Sequence, residues 1–208
     1  MKEMTKARNE VLANIPNIEI ERLLLRKLKF EDAVDIFEYA SAPEVTRLTI
    51  FDTHKEINDA QTFLQQAIAR YEKKEALEFG IIFKPESKLV GTGGFSRLEL
   101  VNGCGEVGYV LSRSYWGRGV ATEALQAIIK FGFEKLKLNR IQACCFEENI
   151  ASARVMEKAG MKFEGLQRQR VFAKGRYGDV RIYALLRREY AVIAGAGNGV
   201  WQLGLDRC

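Results

Sequence analysis

The feature that most constrains the fold is a turn between Tyr115 and Val120, where a strand pattern gives way to a helix pattern. Gly117 and Gly119 lie in this turn, and glycine lets the backbone turn tightly with its N–H groups pointing outward. The start of the following helix adds about half a positive charge at the same point. The stretch therefore has the build of a phosphate cradle.

The helix after this turn is predicted to pack against a core. Its apolar positions form one continuous stripe, at Leu125, Ile128, Ile129, Gly132, Phe133 and Leu136. Acidic Glu123 stands in the first turn and basic Lys135 in the last, which is the charge order that a helix dipole favours. The glycine turn is thus placed at a helix N-terminus. A plain strand-to-helix loop would use the same two glycines, so the turn alone does not identify a ligand.

Two nucleotide-binding motifs do not fit the turn. A Walker loop needs a lysine directly after its last glycine, and here Gly119 is followed by Val120 and Ala121. The dinucleotide fingerprint needs a third small residue where Thr122 stands, in a unit that comes early in its domain. This turn lies past the middle of the chain.

Length and composition indicate one sizeable domain. With 208 residues and 47% hydrophobic content, the chain can bury a full core. We expect a domain over residues 1–190, followed by a tail over residues 191–208 with no clear period, either flexible or added to the natural chain.

Charge and the absence of targeting signals limit the classes of partner and the location that we expect. The 32 lysines and arginines exceed the 27 acidic residues, but the two signs are interleaved, so we expect a mixed solvated surface and no nucleic acid partner. A mildly positive surface suits an anionic cofactor. The sequence has no signal-like start and no apolar run of about 20 residues, so we expect a cytoplasmic protein with no membrane contact.

The four cysteines are not arranged for a cross-link or a metal. Cys144 and Cys145 are adjacent on a predicted strand, where their side chains face opposite ways. Cys104 and Cys208 lack zinc-like pairing. We expect neither a disulfide nor a bound metal.

The order of elements predicts a mixed, mostly antiparallel sheet. A strand at 18–28 is followed by helices at 30–37 and 57–71, and then by three strands joined by turns, at 79–83, 89–98 and 105–111. After the long helix we predict a strand at 141–146, a helix at 149–159, and two long strands up to residue 186 with a turn at 174–176. The predicted order is β-α-α-β-β-β-α-β-α-β-β.

Several motifs in this order resemble one family. Residues 116–121, Trp-Gly-Arg-Gly-Val-Ala, are similar to the loop Gln/Arg-x-x-Gly-x-Gly/Ala of the GNAT superfamily of acyl-CoA-dependent N-acetyltransferases, although Trp116 departs from its first position. The flanking Tyr115 and Ala-Thr-Glu-Ala at 121–124 resemble the RimJ/RimL branch of that superfamily. Similar motifs stand at 106–109, 149–152 and 157–165, and the resemblance covers roughly residues 18–188.

The resemblance implies a GNAT-like α/β domain, with helices on both faces of the sheet, that uses acetyl-CoA. In that family the loop amides hold the coenzyme A diphosphate, and the preceding strand pairs with pantetheine like an added strand. The implied cofactor-binding residues are Tyr109, Val110, Leu111, Trp116, Gly117, Arg118, Gly119, Val120, Ala121, Thr122, Asn149 and Lys158.

Two of these positions, Asn149 and Lys158, and the neighbouring Gly108 each have a second interpretation. Gly108 suits a bulge or a close approach to the cofactor, and a strained turn explains it equally well. Asn149 suits a helix N-cap as well as a cofactor contact. Lys158 could reach the adenine or the 3′-phosphate of the cofactor, or it could simply suit the helix dipole.

The transfer of an acetyl group to an amine needs a neutral amine and a proton for the departing thiolate. We predict that Glu106 takes the amine proton; the alternative is an ordinary carboxylate paired with an Arg or Lys. The resemblance places Ser152 near the thioester sulfur, where it could protonate the thiolate; the alternative is a hydroxyl bonded to its own helix.

The sequence says least about the amine that accepts the acetyl group. The resemblance favours the α-amino group of a protein N-terminus, of the ribosomal-protein type, with a small amine (a polyamine, an amino acid or an antibiotic) or a non-catalytic acyl-CoA-binding module as alternatives. Phe51, His54 and Tyr71 could line the acceptor groove or be ordinary core and surface residues. A homodimer is left open.

Overall fold

The computed structural model describes residues 10–73 and 77–195 of the chain. Eight strands form one sheet in the order β1-β2-β3-β4-β5-β6-β8-β7. The strands are β1 (Ile18–Glu19), β2 (Leu23–Lys27), β3 (Leu77–Phe83), β4 (Lys88–Glu99), β5 (Cys104–Leu111), β6 (Arg140–Phe146), β7 (Lys162–Ala173) and β8 (Arg176–Leu186).

The helices connect these strands in the predicted sequence. They are α1 (Ala33–Ala40), α2 (Pro43–Thr46), α3 (Ile57–Lys73), α4 (Val120–Glu134), α5 (Ile150–Lys158) and α6 (Arg187–Gly195). Single 3₁₀ turns stand before α1, between β3 and β4, and before the glycine turn, at Phe30–Asp32, Lys84–Glu86 and Arg113–Tyr115. Within the described ranges, no helix is long and apolar enough to cross a bilayer.

Every strand pair is antiparallel except β5 with β6. These two strands run parallel and pair only over their first halves, from Cys104 opposite Arg140 to Val107 opposite Ala143. The second half of β5 keeps its pairing with β4 but has no partner on the β6 side. The sheet therefore opens into a cleft beyond Val107.

The two faces of the sheet are covered by different helices. On what we call the front face, α1 and α3 cover β2 to β4 through an apolar cluster that includes Ile36, Leu64 and Leu89. On the back face, α4 and α5 pack through the larger cluster. Helix α4 comes very close to the sheet, since a Cβ on Gly132 would lie 2.6 Å from the Phe95 ring. Side chains alternate along β5, so it serves both faces.

The predicted fold class is confirmed: this is a single mixed α/β domain with a mostly antiparallel open sheet and flanking helices. The predicted meander, the long β7–β8 hairpin and its turn at 174–176 are all present. The division of the chain at residue 190 stays a prediction.

Three local predictions were wrong. The strand expected at 18–28 is a tight hairpin of β1 and β2, closed by a bond from the Ile20 N–H to the Leu23 carbonyl oxygen at 2.9 Å. The continuous apolar alternation of this segment hides the turn. Helix α2, which begins at a proline, was not expected. Helix α6 continues to Gly195, where the sequence indicated no good helix; residues 196–208 lie outside the described residues.

The bulge considered at Gly108 lies elsewhere in the sheet. Gly108 pairs regularly with Gly94, and the register shift of this strand pair lies between Phe95 and Arg97 of β4. A Cβ built on Gly108 would have nothing within 4 Å. Gly108 therefore marks the open cleft and not a bulge.

Candidate cofactor and acceptor site

The glycine turn forms a cradle of exposed backbone donors. Gly117 and Gly119 have φ values of +73° and +81°, which side chains rarely tolerate, and Gly119 is the N-cap of α4. The N–H groups of the first helical residues have no acceptor inside a helix, and no side chain caps this one. The loop is exposed. Free donors at a helix N-terminus are the arrangement that binds a diphosphate.

Contacts from distant parts of the chain fix the cradle. The Arg22 guanidinium donates to the Arg118 carbonyl oxygen at 2.9 Å and forms an ion pair with Glu123 at 2.5 Å. The Trp116 indole N–H donates to the Leu111 carbonyl oxygen at 2.8 Å. The loop is therefore tied both to the β1–β2 hairpin and to the end of β5.

The cleft beside β5 can accept an extended ligand. From Gly108 onwards, one edge of the strand bonds to β4 and the other edge faces the opening. An extended chain can add to such an edge through backbone hydrogen bonds. Of the predicted pantetheine-binding residues, Tyr109 and Val110 keep this possibility, whereas the Leu111 carbonyl oxygen already accepts from Trp116.

On the back face, two hydroxyl groups meet beside the cleft. The Ser152 Oγ lies 2.8 Å from the Tyr109 hydroxyl oxygen, and the same tyrosine donates to the Ser152 carbonyl oxygen at 3.1 Å. Burial raises the pKa of Tyr109 far above its usual value. The Asn149 side chain accepts from the Ser152 N–H at 3.1 Å, so the predicted N-cap is present. Ser152 is thus held at the first turn of α5 with a proton-bearing partner.

On the front face, Glu106 lies at the last paired stretch before the cleft. The Gln142 side-chain amide donates to its carboxylate at 2.9 Å. Arg97 lies opposite Glu106 in β4 but forms its ion pair with Glu99, at 3.1 Å. Within the described residues Glu106 has no ion pair with an arginine or lysine, and its role stays a prediction. The residues lining the open depression here are Arg97, Glu99, Cys104, Gly105, Glu106 and Gln142.

Residues 22–162 match the acetyltransferase (GNAT) domain family. The chain belongs to the GNAT acetyltransferase family. It is 40% identical over 171 residues to the uncharacterized N-acetyltransferase p20 of Bacillus licheniformis, a match that covers 82% of this chain and 96% of that protein. It is 33% identical over 126 residues to the ribosomal-protein-serine acetyltransferase of Escherichia coli, with 61% and 69% coverage.

Solved structures agree with this assignment. A GNAT-family acetyltransferase from Bacillus anthracis superposes with a TM-score of 0.75 at 34% identity, covering 83% of this chain and 99% of that chain. The predicted family and the predicted enzyme class are therefore confirmed: this protein is an acyltransferase. Acetyl-CoA, the predicted cofactor, is the donor of GNAT acetyltransferases, and the free amides of the cradle fit its diphosphate.

The remaining site predictions of this GNAT acetyltransferase have mixed outcomes. Lys158 is exposed at the last turn of α5, and its carbonyl oxygen accepts from Gln126 of α4 at 3.3 Å. Its contact with the cofactor stays a prediction, as do the roles of Glu106 and Ser152. Tyr71 does not line a groove: it is 6% exposed, and its hydroxyl donates to the Glu78 carbonyl oxygen and accepts from the Leu28 N–H.

The loop before α3 instead meets the β7–β8 hairpin. The Lys174 ammonium donates to the Phe51 carbonyl oxygen at 2.8 Å, and Leu48 packs on the apolar cluster at the hairpin. The His54 ring lies 6.0 Å from the Phe51 ring, and burial lowers the pKa of His54. The loop and hairpin together bound the front face beyond β6.

Sequence analysis missed three features of this site. Gln142 orients Glu106, the Tyr109 hydroxyl meets Ser152, and Arg22 fastens the cradle. Their partners lie 36, 43 and 96 to 101 positions away in sequence. Only the contact between Gln142 and Glu106 had any local signal, because an acid on β5 and an amide on β6 are residue types that pair across strands.

Proposed function

We propose that this GNAT acetyltransferase acetylates the α-amino group of a polypeptide N-terminus. The observation that carries the proposal is the open front face beside the cleft. Gly108 and Cys144 are exposed on the two strands that border the cleft, each two residues beyond the Glu106–Gln142 pair, and the depression around Glu106 is open to solvent. An extended polypeptide fits an open groove, whereas a small amine is usually bound in an enclosed pocket.

The energetics of deprotonation favour an α-amine. An α-amino group has a pKa of about 7.7 to 8.0, so its neutral form costs roughly 1 kcal/mol at pH 7, whereas a lysine side chain costs about 4.6 kcal/mol. A carboxylate such as Glu106, acting through a water molecule, is a weak base. A weak base is sufficient for the α-amine.

We assign the two proton transfers to opposite faces of β5, because Glu106 lies on one face and the hydroxyl pair lies on the other. Bound acetyl-CoA supplies an acetyl group activated as a thioester. On the front face, Glu106 takes the proton of the acceptor amine while its own position is held by Gln142. On the back face, the hydroxyl pair of Ser152 and Tyr109 supplies the proton for the thiolate that leaves. The cleft between β5 and β6 joins the two faces at the reacting carbonyl.

The similarity to the ribosomal-protein-serine acetyltransferase also supports a protein acceptor. A polyamine acceptor finds less support on the front face. Glu99 would be the second carboxylate for such a cation, and Arg97 already neutralises it. The homodimer and the cytoplasmic location stay predictions.

The test is thiol release from acetyl-CoA with N-terminal peptides and small amines measured side by side. We expect turnover with peptides whose α-amine is free and none with the same peptides after N-terminal blocking. Mass spectrometry should place the acetyl group on the first residue. Turnover with polyamines or amino acids alone would contradict the proposal.

A further inference from the structure

A series of side-chain contacts leads away from Glu106 across the front face. The Gln142 side-chain amide donates to the Glu106 carboxylate at 2.9 Å. The oxygen of the same amide accepts from the Arg140 guanidinium, at 3.4 Å from Nε and 3.3 Å from Nη2. Arg140 also donates to both carboxylate oxygens of Glu164, at 2.8 Å and 2.5 Å. Side chains from β5, β6 and β7 are therefore connected in one series.

The pairing of the strands places the first three of these groups on the same face. Arg140 and Gln142 are two positions apart on β6, so their side chains point the same way. Ile141, between them, is buried in the core of the back face. Glu106 stands directly opposite Gln142 in the parallel pairing of β5 with β6. The register of these two strands thus brings the three side chains together.

Glu164 lies in a bulge of β7. Its two neighbours along the strand pair with consecutive residues of β8, Tyr183 and Ile182, so Glu164 is an extra residue in β7. Bulges re-aim side chains and are frequent beside active sites. The hydrogen bonds from Arg140 lower the pKa of Glu164, so both groups are charged at neutral pH. With 25% and 43% of the two side chains exposed, the ion pair adds little to stability, which does not account for it.

The Arg140 guanidinium determines which way the Gln142 amide points. An amide can be turned over with little change of shape, and only its NH2 end donates hydrogen bonds. Because a guanidinium offers donors alone, the amide oxygen turns towards Arg140 and the NH2 group towards Glu106. The reversed amide would set its NH2 group against the guanidinium and its oxygen against the carboxylate. Arg140 therefore keeps a donor aimed at Glu106.

We propose that Arg140 and Glu164 are positioning residues for acetyl transfer, which act on Glu106 through Gln142. This inference rests on the role that the proposed function gives to Glu106. The Gln142 amide binds Oε2 of Glu106, which leaves Oε1 for the acceptor amine or for a water molecule between them. Misplacing a reacting group by about 1 Å can cost about 100-fold in rate. A remote anchor for the carboxylate should therefore influence kcat.

The experiment measures kcat, KM and coenzyme A binding for Arg140→Gln and Glu164→Gln, with N-terminal peptides as acceptors. We expect kcat to fall by about tenfold for Arg140→Gln and by about threefold for Glu164→Gln, which keeps the guanidinium but loosens it. KM and coenzyme A binding should stay unchanged. Arg176→Gln is the matched control, because it breaks another arginine–glutamate pair of 2.5 Å, with Glu148 beyond the end of β6, and should leave kcat unchanged. Melting curves confirm that each variant is folded.

Two double variants distinguish positioning from a purely structural role. In the Glu106→Gln background, Arg140→Gln should cause no further loss of kcat, because both changes act through the same carboxylate. The exchange of Arg140→Glu with Glu164→Arg restores an ion pair but presents a carboxylate to Gln142, whose NH2 group then turns away from Glu106. We expect this variant to fold and its kcat to stay low. Recovery of kcat in the exchanged variant, or fully additive losses in the first, would overturn the positioning role.

The outcomes separate this inference from the proposed function. If Arg140→Gln keeps the wild-type kcat while Glu106→Gln loses it, the positioning role fails and the proposed function stands. If a small amine is acetylated and peptides are not, the N-terminal function fails, and the same variants measured with that amine decide the role of Arg140. An unchanged kcat in Glu106→Gln would remove both the base and its positioning.

Discussion

The two faces of β5 are built in different ways. The back face and the cradle use backbone donors, a helix start and a largely buried hydroxyl pair, all fixed by packing. The front face beside Glu106 is open and is lined by charged and amide side chains from three strands, β4, β5 and β6. We call the cradle and the back face the donor half of the site, and the open front face the acceptor half. Members of a family can share the donor half, whereas single substitutions can alter the acceptor half.

The largest effect should come from Glu106→Gln on the front face. The carboxylate is replaced by an amide of the same shape, so the amine loses its proton acceptor. We expect kcat to fall by roughly 100-fold or more, with unchanged binding of coenzyme A by calorimetry. As a control, the exposed Glu44→Gln should leave both quantities unchanged. An unchanged rate at every pH would remove Glu106 from the mechanism.

A smaller effect, on the donor half, should follow from Gly119→Ala. A side chain at φ +81° costs about 1 to 2 kcal/mol, and relief of that strain would move the amides of the cradle. We expect coenzyme A to bind about tenfold more weakly. Gly175→Ala makes the same change at φ +74° in the hairpin turn and should lower stability without weakening coenzyme A binding. Equal binding losses in both variants would argue against the cradle.

Ser152→Ala and Tyr109→Phe compare the members of the hydroxyl pair. If Ser152 donates the proton and Tyr109 orients it, the serine variant should lose about tenfold in kcat and the tyrosine variant less. Rates with a thioester of a more acidic thiol supply the readout, because a better leaving group needs less protonation and should restore both variants. A loss that persists with that donor would indicate a purely structural pair.

The smallest effect concerns the thermal stability of the protein, through Glu78 on the part of the front face that α1 and α3 cover. Burial raises the pKa of Glu78, and the positive charge of Arg70 and a hydrogen bond from Thr92 offset this only in part. A raised pKa in the folded state means that stability is lost as the pH rises above the ordinary glutamate range. Glu78→Gln should therefore raise Tm by about 2 to 4 °C at pH 7 and leave it unchanged near pH 4. A Tm that is equal at both pH values would show that the carboxylate is not destabilising.

The sequence predicted the fold and the donor half well because both depend on local signals. Alternation, helical periodicity and turn glycines are signals carried by neighbouring residues, and they placed β3 to β6, α3 and α5 within about two residues. Tight features without such signals were missed. The β1–β2 turn lies inside continuous apolar alternation, and the bulge considered at Gly108 falls instead on the partner strand, at Ser96.

The acceptor half was harder to predict because its geometry depends on register between distant strands. Nothing near Glu106 fixes the register that puts Gln142 opposite it, and nothing near Gln169 indicates a bulge in β7. The sequence left Tyr71 open between a groove and the core, where the structure places it, because an aromatic residue on a helix face gives the same pattern in both. Tertiary pairing decides these positions.

The Arg22 contact makes the N-terminal hairpin a reporter of cofactor occupancy. Its guanidinium holds the cradle from more than 90 positions away in sequence, so whatever orders the cradle also orders the hairpin. A ligand at 100 times its Kd adds about 2.7 kcal/mol to the stability of the state that binds it. We expect part of that free energy to reach β1 and β2 through the Arg22 side chain when a cofactor binds at the cradle.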